Sequence, residues 1–183
     1  MNSISERLND ALNTIGDILF EVAQEIVEEL LSRAEFCPVS AKYKYKLRLR
    51  NTDIPEQKFI SRGVKNSEFD FRNYFWITVI DIGDSNEHSS ICLSFSDIDN
   101  DRDIEINSGN FHTQFGRLQF WRGLNLKDGT CSGPNELLDK NGRDIVLRFC
   151  GEKSHDPCQA IFDGTYEVKS LVDAFLAFME KPC

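Results

Sequence analysis

The sequence predicts a single α+β domain, a mostly antiparallel β-sheet flanked by a long N-terminal helix and a C-terminal helix. Three observations carry this reading. Leu8, Leu12, Ile15, Leu19, Val22 and Ile26 follow one another at spacings of four and three residues, the period of one helix face. Between residues 41 and 163, short β-type runs alternate with Gly-, Asn- and Asp-rich turns, as antiparallel strands do. Val168, Leu171, Val172, Phe175, Leu176 and Met179 then return to helical spacing, and helices at both ends of a run of strands form the α+β layer pattern.

The first helix opens at Ser3 and Glu6, an S-x-x-E capping box, in which each residue satisfies a backbone donor of the other. It is predicted from about residue 4 to 35 and stops before Pro38, because the residue before a proline resists helical angles. At 100° per residue, Glu6, Asp10, Asp17, Glu21 and Glu28 collect opposite the apolar seam. Such a seam either lies over the domain's own sheet or pairs with a second copy, giving a homodimer through Leu8, Leu12, Ile15, Leu19, Val22 and Ile26.

Strands are expected at 42–50, 58–62, 71–82, 90–97, 103–107, 113–121, 145–150 and 158–162, with 71–82 central because it is the most apolar. Turns are expected at Gly83–Asn86, Asn107–Asn110, Lys127–Gly129 and Asn141–Gly142. A short helix is expected at Pro134–Lys140 and the closing helix at 165–181, before Pro182. The domain thus reads as helix 1–36, β-rich core 41–163 and C-terminal helix.

Two segments alternate charge with period two. Lys42, Lys44, Lys46, Arg48 and Arg50 interleave with Tyr43, Tyr45, Leu47 and Leu49. That is a half-buried strand with its tyrosines and leucines on the core and its cations in water. Its tyrosines face away from its cations, so bases could not stack where phosphates would bind. The second segment carries Asp97, Asp99, Asp101, Asp103 and Glu105. Its middle, Asp99–Arg102, has turn composition, so these acids crowd the tip of a hairpin, where a cationic partner would relieve their repulsion. Read as a calcium loop, the segment places Arg102 where glycine is required and Ser108 where the bidentate glutamate belongs. Calcium is therefore not expected.

Catalytic and metal motifs are weak. His88, His112 and His155 lie in no nucleophile motif. Cys150, His155 and Cys158, with Cys131, lack the paired-cysteine knuckle of structural zinc sites. Asp163, Glu167 and Lys169, with Asp144 and Asp156 upstream, resemble a D…E-x-K nuclease arrangement, but Val168 begins a helical pattern where that motif needs a strand. Neither catalytic residues nor a cofactor is expected.

The formal charge is −9, a field that as a whole repels nucleic acid and anionic membrane and draws basic proteins. No N-terminal leader pattern and no long charge-free window appears, and the six cysteines lack disulfide-scaffold spacing. The expected setting is the cytoplasm, with free thiols and no membrane span. The sequence thus points to a non-enzymatic acidic module that binds a basic protein, of the immunity-protein or antitoxin kind. Its partner-binding residues would be Asp97, Asp99, Asp101, Asp103, Glu105, Asp10, Asp17, Glu21 and Glu28. A dimeric acidic chaperone for a secreted protein and a metal-dependent nuclease are the alternatives.

Overall fold

A computed structural model describes residues 3–67, 70–83, 87–96, 111–112, 116–124 and 157–180. Helix α1 spans Ile4–Ser32. Among the described residues six strands follow: β1 (Tyr45–Leu47), β2 (Ile60–Ser67), β3 (Asp70–Asp81), β4 (Glu87–Ser96), β5 (Phe111–His112) and β6 (Gly116–Leu124). Helices α2 (Pro157–Phe162) and α3 (Val168–Met179) close the described chain. The architecture is the α+β arrangement expected, with an N-terminal helix, an antiparallel sheet and a C-terminal helix.

Strand β3 is central, as its composition predicts. On one side it pairs with β2 along 70–77 and with β1 along 79–81. On the other it pairs with β4, which in turn pairs with β6, and β5 caps the far edge. Every pairing is antiparallel, so side chains in register share a face. Tyr45, Leu47, Ile60, Phe75, Ile77, Val79, Ile91, Leu93, Leu118 and Phe120 form one buried sheet face. Leu19, Val22, Ala23, Ile26, Val27 and Leu30 of α1 and Leu171, Val172, Phe175 and Phe178 of α3 lie in the same core. Phe120 meets Phe175 edge-on at 5.1 Å between centroids and Phe178 at 5.6 Å.

Several expected boundaries shift for local reasons. Helix α1 ends at Ser32 rather than 35. Arg33 turns to extended angles (φ −80°, ψ 146°), and a 3₁₀ turn at Ala34–Phe36 drops Phe36 into the core. The guanidinium of Arg33 lies 2.7 Å from both Glu29 and Asp173, tying α1 to α3. The basic strand shrinks from 42–50 to Tyr45–Leu47. Bonds to the β3 side persist one residue further at each end, from Ile82 N–H to the Lys44 carbonyl and from Arg48 N–H to the Thr78 carbonyl. Lys44 N–H, however, donates to the Glu35 carbonyl and Arg50 N–H to the Lys58 carbonyl, so the pairing goes no further. Leu49, expected in the core, is 62% exposed.

Residues 158–162 are helix, not strand. Pro157 stands at the first helical position, where its fixed φ suits a helix, and Ala160 and Ile161 are buried in the core. The strand expected at 113–121 runs instead over 116–124, and the C-terminal helix is shorter than 165–181. The elements expected at 103–107, 134–140 and 145–150 lie outside the described residues.

Candidate partner-binding face

On α1 the capping box is complete. Ser3 N–H donates to Glu6 Oε2 at 2.6 Å, and Glu6 N–H donates to Ser3 Oγ at 3.2 Å. The seam residues Leu19, Val22 and Ile26 are buried in the chain's own core, Ile15 packs against it, and Leu12 is half-buried. Most of the seam proposed for dimerisation is therefore covered by this chain's own sheet and α3.

The acids of α1 divide into those with internal partners and those without. Glu6 is held in the cap, Glu25 Oε1 accepts from the Tyr166 hydroxyl at 2.8 Å, and Glu29 pairs with Arg33. Asp17 Oδ1 lies 2.9 Å from Arg62 Nη1 on β2. The exposed carboxylates of Asp10, Glu21 and Glu28 form no hydrogen bond or ion pair with the described residues. Their helical angles agree within about 20°, so they stand in one row about 27 Å long from Asp10 to Glu28. Burial, the Glu25 hydrogen bond, and the charges of Glu25 and Glu21 push the Tyr166 phenol up to about 12.

Between the row and the sheet lies a polar clamp that sequence reasoning missed. Asn73, only 1% exposed, donates from Nδ2 to the Leu12 carbonyl at 2.8 Å. Arg62 reaches from β2 across Gly16, where a Cβ would stand 2.4 Å from its Nη2, and lies over the Phe20 ring at 5.9 Å. Glycine at 16 permits that close approach. The space among Gly16, Leu19, Phe20, Arg62, Asn73, Tyr74 and Phe75 is too tight to admit a water molecule. It is packing rather than a ligand pocket.

The opposite sheet face carries His88. Register places Lys46, Ile80 and His88 in one cross-strand row, while Arg48 N–H bonds to the Thr78 carbonyl in the next. The His88 Nδ1 is buried with no hydrogen-bond partner among the described residues. Burial first, and the charge of Arg48 second, hold this imidazole below its usual 6.5.

The residues of the nuclease-like arrangement lie on the α2–α3 turn and α3. Asp163 accepts from Gln159 Nε2, Glu167 accepts from the Ser170 hydroxyl as it begins α3, and Lys169 is exposed within that helix. No strand holds them. Among the described residues no three His, Cys, Asp or Glu side chains converge on a cation position, and no helix is long and apolar enough to cross a membrane. Cys37 is half-buried and Cys92 buried. The acids Asp97, Asp99, Asp101, Asp103 and Glu105 lie outside the described residues, as do Cys131, Cys150 and His155.

No known family model matches the chain, and comparison with curated proteins finds no match. The site is therefore read from its own chemistry.

Proposed function

We propose that the chain is a non-enzymatic binding protein whose acidic face docks a basic partner, acting as an immunity protein or antitoxin-type inhibitor of a nucleic-acid-targeting toxin. The observation that supports this is the row of Asp10, Glu21 and Glu28, exposed along one side of α1 without counter-ions among the described residues. A protein that grips phosphates is cationic where it grips them, and a row of carboxylates can occupy that surface. Opposite charges steer the encounter and raise its rate. Asp17 joins the row with its charge shared by Arg62, and Asp97 to Glu105 enter the proposal on sequence alone.

Stopped-flow mixing with a basic nuclease toxin tests the reading. The association rate should fall steeply with salt. Combining Asp10→Asn, Glu21→Gln and Glu28→Gln should lower it by about tenfold at low salt, with little change in dissociation. Binding that ignores both salt and these substitutions would count against the proposal.

A further inference from the structure

Seven large apolar residues are exposed among the described residues, and four of them lie in the segments flanking strand β1 or at the adjoining end of β3: Val39 (93% exposed), Leu49 (62%), Ile54 (48%) and Ile82 (41%). The segment 42–58 carries Lys42, Lys44, Lys46, Arg48, Arg50 and Lys58, against Asp53 and Glu56 within residues 39–58 and Asp81, the cross-strand partner of Tyr45. Backbone bonds gather these groups at the two ends of β1. Ile82 N–H donates to the Lys44 carbonyl at 2.8 Å, and Arg50 N–H to the Lys58 carbonyl at 2.9 Å. All six cations except the half-buried Arg48 are exposed. Their internal ties are light. Lys44 Nζ lies 3.9 Å from Glu180, Arg50 Nη1 donates to the Ile60 carbonyl, and Lys58 lies 5.5 Å over the Phe59 ring.

We infer that this edge is a peripheral contact surface for an anionic phospholipid bilayer. Its cations would lie on headgroup phosphates, with Val39, Leu49, Ile54 and Ile82 in the interfacial layer. Four to eight clustered cations beside exposed aliphatic side chains match what an anionic lipid surface binds, each cation near it contributing about 1 kcal/mol. A protein partner is the poorer match. Protein interfaces favour arginine and aromatic anchors and are depleted in lysine, whereas four of these six cations are lysines and Tyr45 is turned into the core. Nucleic acid is poorer still, because the surface offers no exposed aromatic for bases and interrupts its cations with aliphatics.

The net charge of −9 does not decide the matter. Register puts Lys46 and Arg48 on the sheet face opposite α1. The acidic row, on the outer side of α1, therefore lies roughly a helix diameter or more beyond the sheet, past the ~10 Å Debye length of 0.1 M salt.

Flotation with phosphatidylcholine vesicles carrying roughly one-third phosphatidylserine tests the surface. The full chain should float with these vesicles and stay behind with phosphatidylcholine alone. Lys42→Gln, Lys46→Gln and Lys58→Gln should each lower partitioning about fivefold, the equivalent of about 1 kcal/mol per cation. Leu49→Gln should leave a larger share of the remaining binding sensitive to salt. Circular dichroism of each variant excludes loss of fold as the cause. Absence of flotation at low salt, or flotation undiminished in the lysine variants, would overturn the inference. So would duplex DNA or polyglutamate binding through these lysines without vesicle binding. The lysine variants keep every acid of α1, so their binding to a basic toxin reports separately on the proposed inhibitor function.

Discussion

At the scale of single residues, the polar groups in and near the core carry the most information. Asn73 and Arg62 hold α1 against the sheet through Leu12 and Asp17, and Gly16 leaves room for the guanidinium to cross the helix. His88 is the residue whose charge state should govern acid stability. Its folded pKa lies below 6.5, so between that value and 6.5 the unfolded chain binds more protons than the folded one. Stability there must rise with pH. The contribution is fully present above 6.5 and is lost as pH falls through the folded value. Urea unfolding on either side of pH 6.5 should show this loss, and His88→Gln should flatten it. An unchanged slope in the variant would assign the loss to other groups.

None of this was legible beforehand, because Asn73 is an ordinary polar position in a strand-like run and His88 falls just before one. Their roles come from cross-strand partners and from Leu12, 61 residues away. The capping pair Ser3 and Glu6 was legible, since its chemistry is complete within four residues.

At the scale of elements, α1 has two parts. From Leu19 to Leu30 it is anchored by buried side chains, whereas Ile4 is 84% exposed, so its first turn depends on the cap. Ser3→Ala should cost that turn about 1 kcal/mol. Amide exchange over the first turn should accelerate about fivefold on the same basis, with the global unfolding midpoint hardly moved. A large global shift would mean the arm is tied to the core more firmly than its exposure implies. Strand β1 gives the opposite lesson. Strict alternation over 42–50 reads as a strand, yet only Tyr45–Leu47 pairs fully with β3. The amides of Lys44 and Arg50 find carbonyls in the 3₁₀ turn and beside β2, and periodicity cannot register that competition.

At the scale of the whole molecule, the core joins three sequence-distant parts. Phe120 of β6 packs against Phe175 and Phe178 of α3, and α3 lies beside α1. Phe175→Ala should therefore cost about 3–5 kcal/mol, much of the 5–15 kcal/mol typical of a domain. Denaturant unfolding would show it as a lowered midpoint with unchanged slope. A loss well under 1 kcal/mol would mean that α3 contributes little to the cooperative unit. Charge is organised at the same scale, with an acidic row outside α1 and a cationic edge at β1.

The sequence by itself determined the α+β class, the two terminal helices, the central strand and the acidic side of α1. These follow from residue periods and local caps, which act within a few neighbours along the chain. The fold alone decided that the seam from Ile15 to Ile26 packs in the chain's own core, that Asp17 is shared with Arg62, and that residues 158–162 form a helix. It also decided that Lys46 and Arg48 lie on the far side of the sheet from the acids of α1. Strand order and register bring distant residues together through backbone pairing and burial of a common face, and neither leaves a local mark in the sequence.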